Sequence, residues 1–223
     1  MRRLDRLVGK HLNAGKKRVR EVFENGLVEV DGVVVRERAT LVGAFAKVVV
    51  AGEVVQARTR RVLILHKPAG VVSATVDPEH PTVIDLVDRP WAGELHLAGR
   101  LDRFTTGLVV LTNDSEFSEA LTEPGKKVGK CYRVTVDGEI LPEVVRNFEA
   151  GIWMEKEQVR TAPAQVKLVS ERECWLTIFE GKHHQIKRMF ARWDLKVTRL
   201  HRVRIGSIEL GDLKVGEWRE LEV

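Results

Sequence analysis

The sequence contains little cysteine and no long apolar run. Its 223 residues include only two cysteines, Cys131 and Cys174, which are far apart and form no Cys-x-x-Cys pair. This spacing argues against a zinc site or a disulfide framework and fits a reducing compartment, so we expect both to be core residues in strands. No segment approaches the roughly 20 apolar residues of a membrane helix, and the N-terminal residues lack the apolar core of a secretion signal. We therefore expect a cytoplasmic protein that does not bind membranes.

Acidic residues are outnumbered by basic residues only in the N-terminal part of the chain. Residues 1–61 hold 14 Lys and Arg against 7 Asp and Glu, whereas the remainder holds 23 against 25. The overall content of 43% apolar and 31% charged residues is typical of a globular protein. A local basic excess is the electrostatic footprint of a polyanion-binding protein, although charge alone fits a basic solvated surface equally well.

The N-terminal pattern predicts two helices followed by a hairpin. Apolar residues recur at helical spacing over residues 3–12 and again before Gly26, which is suited to end the second helix. Asp31-Gly32 lies between two valine-rich segments, 27–30 and 33–35, and this pattern is typical of a β-hairpin.

This N-terminal arrangement resembles the S4 domain, a small RNA-binding module. The resemblance rests on Arg3-Leu4-Asp5-Arg6-Leu7, the basic second helix and residues 25–35. It implies an S4-like domain and linker at residues 1–57, followed by a separate domain at 58–223. Basic side chains of such a module contact phosphates, and the candidates here are Arg3, Arg6, Lys16, Lys17 and Arg18.

The remainder of the chain shows short strands and helices without regular βαβ alternation, which predicts an α+β fold. The expected strands are 62–65, 106–112, 131–136, 163–169, 174–180, 196–204 and 207–210. The expected helices are 82–87, 115–122, 140–150 and 183–193.

Asp102 is the most informative residue of this region. It lies between Arg100 and Arg103 in a loop rich in Gly and Thr, just before an apolar strand. Cationic neighbours favour the ionised form of a carboxylate, and loops held by a rigid sheet often carry catalytic groups. On these residues alone, a carboxylate that merely satisfies loop amides or pairs with Arg103 is the more ordinary interpretation.

Four segments in order resemble the ribosomal type of pseudouridine synthase. Gly99-Arg100-Leu101-Asp102, followed by Thr106-Gly107-Leu108, is similar to the family signature, in which the Asp is the essential nucleophile. The other segments that match are 65–70 (Leu-His-Lys-Pro-Ala-Gly), 130–134 (Lys-Cys-Tyr-Arg-Val) and 180–190, the last block of the family. The resemblance implies a catalytic domain built on a mostly antiparallel mixed sheet with flanking helices, and no cofactor.

Residues 77–83 and 184–190 favour the RsuA type, the subgroup that acts on 16S ribosomal RNA. The resemblance then implies conversion of one uridine, at the position 516 type of site, by a monomeric enzyme. Its partner would be 16S RNA or the assembling small ribosomal subunit. Two alternatives stay open: the same chemistry on 23S RNA, and an RNA-binding assembly factor without catalysis.

The resemblance also assigns roles at the site. Asp102 is the catalytic carboxylate, Lys187 supplies a basic contact to it, and Tyr132 stacks on the target base. The uridine must leave its stack to reach Asp102, and Arg100 is placed to enter the vacated space.

The last block predicts a helix with one apolar face, formed by Ile186, Met189, Phe190 and Trp193. We expect the basic residues off this face to contact RNA phosphates together with two residues from earlier segments, so that the set is Lys187, Arg188, Arg192, Lys67 and Arg103. No Cys or carboxylate accompanies His183, His184 and His201 at ligand spacing, so we expect no metal site.

Overall fold

The computed structural model describes residues 1–222. The chain divides into two compact units, Met1–Arg60 and Arg61–Val223. This division falls three residues after the expected position, residue 57. Within the described residues, no helix is both long and apolar enough to cross a membrane.

The first unit contains two helices and six short strands. Its elements are β1 (Arg2–Arg3), α1 (Leu4–Leu12), α2 (Lys16–Glu24), β2 (Val28–Val30), β3 (Val33–Val34), β4 (Leu41–Val42), β5 (Val48–Val50) and β6 (Glu53–Gln56). Four strands form an antiparallel sheet in the order β3-β2-β5-β6, and β1 pairs with β4. The expected order of helix, helix and hairpin is confirmed, whereas β1, β4, β5 and β6 were not predicted.

The hairpin between β2 and β3 follows from its two turn residues. Asp31 and Gly32 have φ angles of 51° and 81°, and positive φ at both positions is the requirement of a type I′ turn. Asp31 Oδ1 also accepts a hydrogen bond of 2.8 Å from the Lys47 amide. The small core of this unit is formed by Leu4, Leu7, Val8, Val19, Val22, Phe23, Val28, Val42, Val48 and Val50.

The second unit is built around one sheet of nine strands. Its elements are β7 (Val62–Lys67), β8 (His96–Leu97), β9 (Thr106–Thr112), α3 (Ser115–Thr122), β10 (Lys130–Val136), α4 (Pro142–Ala150), β11 (Trp153–Met154), β12 (Val159–Arg160), β13 (Gln165–Ser170), β14 (Glu173–Ile178), α5 (Gln185–Ala191), β15 (Val197–Ile205), β16 (Ile208–Glu209) and β17 (Trp218–Glu220). The main path is β13-β14-β10-β15-β9-β7-β17, and β8 and β16 add to β9 and β15. Among the described strands of this sheet, only β15 and β9 pair in parallel, so the expected mostly antiparallel mixed sheet is confirmed.

Both faces of the central strands are buried. Along β7, Leu63 and Leu65 contact the larger core, which includes residues of α4 and α5, while Val62 and Ile64 contact a smaller one on the opposite face. Such strands appear in the sequence as continuous apolar runs.

Cys174 in β14 is buried, which raises the pKa of its thiol to about 12, and Cys131 in β10 is half-buried.

The expected helix over residues 82–87 is wrong, because the Val87 amide donates to the Ile84 carbonyl, three residues back, at 2.9 Å, and residues 83–86 form a turn. The Thr82 amide donates to Asp85 Oδ2 at 2.7 Å, and the Val83 amide donates to the Val72 carbonyl at 3.0 Å. The segment is therefore a turn that pairs with Val72.

The expected strand 106–112 and helix 115–122 have the bounds of β9 and α3. Asp114 caps α3 by accepting from the amides of Glu116 and Phe117.

The parallel pairing of β9 with β15 depends on Gly107. A Cβ atom at this position would lie 2.1 Å from the Arg202 carbonyl oxygen, and Gly107 has a φ of +105°. Both the closeness of the strands and the backbone conformation therefore exclude a side chain here.

We expect Gly107→Ala to lower the free energy of unfolding by about 2–5 kcal/mol, because strand separation and backbone strain add. Urea denaturation measures this loss. Gly93→Ala is the control, since Gly93 has open space around it and no positive φ. Equal denaturation midpoints for the two variants would contradict the prediction.

Candidate active site

A cleft of about 940 Å³ opens in the second unit. It is bounded by the loop before β9, by β10 and β15, and by the segment that leads into α5. The charged and aromatic residues that line it are Arg100, Asp102, Arg103, Glu123, Lys130, Tyr132, Phe179, Glu180, Lys182, His183, His184, Lys187 and Arg202.

Asp102 lies in a loop that is fixed by backbone hydrogen bonds on both sides. The Leu101 amide donates to Ser73 Oγ at 3.0 Å. The Thr105 amide donates to the Asp102 carbonyl at 3.0 Å, and the Gly70 amide donates to the Arg103 carbonyl at 2.9 Å. The backbone is thus held while the Asp102 side chain remains 30% exposed to the cleft.

The Asp102 carboxylate has two nitrogen groups beside it. Lys187 Nζ donates to Oδ2 at 2.9 Å, and His184 Nε2 lies 3.4 Å from Oδ1. His184 immediately precedes α5, has a φ of 49°, and stacks on His183 with ring centroids 3.8 Å apart. The structure therefore brings together Asp102 and Lys187, which the sequence analysis paired, and adds His184, which it did not.

Glu180 holds the segment that leads into α5. Its carboxylate accepts from Gln185 Nε2 at 2.7 Å and from the Ala162 amide at 3.2 Å, and it pairs with Lys182. Gln185 in turn accepts from the Lys182 amide at 3.0 Å. These contacts fix the start of the helix that carries Lys187.

Tyr132 lines the floor of the cleft from β10, with 6% of its surface exposed. Its neighbours across the sheet are Leu176 and Arg202, and Arg202 Nη1 donates to the Tyr132 hydroxyl at 3.4 Å. Lys130 lies two residues away. Burial lowers the pKa of Lys130, the Arg202 charge lowers it further, and Glu180 opposes the shift.

The expected phosphate contact of Lys67 is wrong. Lys67 is completely buried, and its Nζ donates to the carbonyls of Pro68, Arg103 and Thr105 at 2.8, 2.8 and 2.9 Å. Burial lowers the pKa of Lys67 to about 8, and the charge of Asp102 opposes this shift. The ammonium group thus holds the loop next to Asp102 and is not accessible to RNA.

The other residues of this unit that were expected to contact RNA differ in their surroundings. Arg100 is exposed and lines the cleft. Arg103 is also exposed, and its guanidinium contacts the Gly70 carbonyl at 3.2 Å and His80 Nε2 at 2.6 Å.

Two further arginines are held by acidic residues of the second unit. Arg188 forms two hydrogen bonds with Glu157, at 2.8 and 2.7 Å, which lower the pKa of Glu157 to about 2. Arg192 lies 3.2 Å from the Trp153 carbonyl and 3.5 Å from Glu155.

In the first unit, part of the expected basic set lies together. Arg3, Arg6 and Lys16 line one hollow of about 380 Å³, to which Arg38 also contributes. Arg3 pairs with Asp5 at 2.7 Å and Arg18 with Glu21 at 3.4 Å, and Lys17 is exposed.

The three histidines considered as metal ligands do not converge. His201 lies outside the cleft, where Thr106 Oγ1 is 2.8 Å from its Nδ1 and burial lowers its pKa to about 4. Among residues 1–222, no group of three His, Cys, Asp or Glu side chains is arranged to hold a metal ion.

We expect Lys67→Met to lower the free energy of unfolding by about 2–5 kcal/mol, because buried carbonyls lose their donor. The urea midpoint of the variant measures the loss. Lys167→Met, on the exposed surface of β13, is the control and should shift stability by no more than about 0.5 kcal/mol. A Lys67→Met protein as stable as this control would show that the three carbonyl contacts contribute nothing.

Comparisons with known proteins show the family to which the chain belongs. The family model for RNA pseudouridylate synthase matches residues 61–192. The chain is 42% identical over 221 residues to the "Ribosomal small subunit pseudouridine synthase A" of Pseudomonas aeruginosa, covering 98% of this chain and 96% of the relative. The protein of the same name from Escherichia coli K12 is 38% identical with the same coverage. A crystal structure of a pseudouridylate synthase matches with a TM-score of 0.71 and 32% identity, over 100% of this chain and 96% of the other. The chain therefore belongs to the RNA pseudouridylate synthase family.

Proposed function

We propose that this pseudouridine synthase converts one uridine of 16S ribosomal RNA, at the position 516 type of site, with Asp102 as its catalytic carboxylate. The observation that carries the proposal is the contact of 2.9 Å between Asp102 and Lys187 inside the cleft. The choice of the small-subunit RNA is supported by relatives that are named for that subunit and align over nearly their whole length.

The reaction needs no group beyond those of the protein and the RNA. The bond from ribose to the uracil nitrogen breaks, the base rotates, and ribose is joined to a ring carbon; that carbon loses its proton and the freed nitrogen gains one, so that the atoms of the nucleotide are conserved. A carboxylate can act covalently or as an acid–base group in such a rearrangement. Lys187 balances the charge of the carboxylate where the closed RNA complex excludes water.

Tyr132 and Arg100 complete the site. The aromatic ring of Tyr132 lies on the cleft floor, where stacking on a base contributes about 1–3 kcal/mol. Extruding the uridine costs a few kcal/mol. Arg100 is two residues from Asp102 and exposed at the cleft, so its planar guanidinium enters the gap that the uridine leaves and offsets part of this cost.

The first unit serves as an S4-type docking module in this proposal. The hollow lined by Arg3, Arg6 and Lys16 gathers cations that suit RNA phosphates, and α2 adds Lys17 and Arg18. Arg103, Arg188 and Arg192 extend the contact on the second unit. The enzyme acts as a cytoplasmic monomer on 16S RNA or on the assembling small subunit.

Asp102→Asn and Asp102→Ala should abolish pseudouridine formation, lowering its rate more than about 1000-fold, because the reacting carboxylate is removed. Chemical mapping of 16S and 23S transcripts and of partly assembled small-subunit particles measures the product. Asp88→Asn, in an exposed loop, is the matched control and should retain wild-type activity.

The same mapping decides between substrates and roles. A single new site in 16S RNA, absent with both Asp102 variants, supports the proposal. A site in 23S RNA would overturn the choice of substrate, and retained activity in Asp102→Asn would exclude Asp102 from the reaction. Tight binding without product on every RNA would favour the assembly-factor alternative.

RNA affinity should fall steeply with salt, because binding releases counterions from phosphates. The triple variant Arg3→Ala, Arg6→Ala, Lys16→Ala should reduce the slope of log affinity against log salt by about 2, at about 0.7 per phosphate contact. Fluorescence anisotropy with a 16S fragment gives the slope. Arg172→Ala, exposed in the turn after β13, should leave it unchanged. An unaltered slope in the triple variant would exclude the hollow from RNA docking.

A further inference from the structure

Arg202 in β15 is a buried arginine whose guanidinium joins three parts of the site. Only 1% of its surface is exposed. Its Nε donates to the Leu108 carbonyl at 2.9 Å, and its Nη1 donates to the Arg100 carbonyl at 3.3 Å and to the Tyr132 hydroxyl at 3.4 Å. The three partners belong to β9, to the loop of Asp102, and to β10.

The backbone of Arg202 is fixed by its neighbours in the sheet. It pairs with Gly107 on the parallel side and with Tyr132 on the antiparallel side. Because Gly107 has no side chain, β15 can lie in close contact with β9. The guanidinium therefore extends from a fixed backbone and contacts both the Arg100 carbonyl and the Tyr132 hydroxyl.

Stability alone does not explain a cation at this position. Within residues 1–222, no carboxylate lies at ion-pair distance from Arg202, and its Nη2 atom has no hydrogen-bond partner among the protein groups. Its charge also opposes that of nearby Lys130, whose pKa it lowers. A buried charge that no carboxylate balances is costly, and an apolar residue of similar volume would avoid that cost, although it would also remove the three hydrogen bonds.

We propose that Arg202 is a positioning residue for the reaction, an inference that rests on the proposed function of Asp102 and Tyr132. Arg202 donates to the Arg100 carbonyl, two residues before Asp102, and to the Tyr132 hydroxyl. It thereby sets the separation between the Asp102 carboxylate and the Tyr132 ring, which act on the same nucleotide. Displacement of a reacting group by about 1 Å can cost about 100-fold in rate. A lysine cannot replace it fully, since an ammonium group lacks the planar fork that reaches three acceptors.

The chain offers an unusually direct probe, because Tyr132 is its only tyrosine. Labelling with 3-fluorotyrosine gives one ¹⁹F resonance, which reports the surroundings of the Tyr132 ring without RNA. The variants are Arg202→Met and Arg202→Lys. Arg199→Met is the matched control, since Arg199 is exposed on the same strand.

In Arg202→Met we expect kcat to fall about 100-fold while KM changes little, because RNA binding is retained and alignment is lost. The ¹⁹F resonance should shift, and the urea midpoint should fall, because the buried Leu108 and Arg100 carbonyls lose their donor. Arg202→Lys should give an intermediate kcat, and Arg199→Met should behave as wild type in all three measurements.

Wild-type kcat in both Arg202 variants, or an unshifted ¹⁹F resonance in both, would overturn the proposal. If Arg202→Met does not fold, the decision rests on Arg202→Lys, where unchanged KM with reduced kcat supports the proposal and wild-type kcat overturns it. Failure of the wild-type protein itself to form pseudouridine would refute the proposed function instead, and the ¹⁹F comparison would still decide whether Arg202 positions Tyr132.

Discussion

The parallel contact between β9 and β15 is the constraint on which the site depends. Only two residue pairs form it, His201 with Thr106 and Arg202 with Gly107, and a glycine is needed because the strands approach too closely for a Cβ atom. β9 follows the loop of Asp102, and β15 follows the helix of Lys187. One close backbone contact thus brings together two catalytic candidates that are 85 residues apart in the chain.

Two buried cations hold the Asp102 loop from opposite ends. Lys67 donates to the carbonyls of Arg103 and Thr105, and Arg202 donates to the carbonyl of Arg100. Between these anchors, the Asp102 side chain faces the cleft and contacts Lys187. Hydrogen bonds to charged donors contribute about 1.5–3 kcal/mol each, more than neutral ones, so a short loop rich in Gly and Thr can hold a defined shape. A preorganised carboxylate needs less rearrangement when RNA binds.

The outcome for individual residues shows what local pattern can predict. Strand 106–112 was predicted with its observed bounds. An apolar run between turn residues indicates a strand from local sequence alone, without knowledge of distant contacts. Lys67 was misjudged because two of its acceptors lie 36 and 38 residues away. The helix over 82–87 failed for the same reason, since Val83 bonds to Val72 across a turn. His184 was missed because its approach to Asp102 depends on a left-handed backbone conformation.

The location of the charges changes how the basic composition should be understood. Lys67 and Arg202 are buried and act within the fold, and Arg188 is paired with Glu157. The buried charges of Lys67 and Arg202 are not available to attract a polyanion from solution, and Glu157 partly neutralises the charge of Arg188. The N-terminal unit, in contrast, carries the net positive charge of the chain and gathers Arg3, Arg6, Lys16 and Arg38 around one hollow. Under the proposed function, attraction of RNA belongs mainly to the first unit, while Lys67, Lys187 and Arg202 of the second unit hold and balance one carboxylate. Exposed charge governs encounter with RNA, whereas in the role proposed for Arg202 a buried charge governs alignment of the reacting groups.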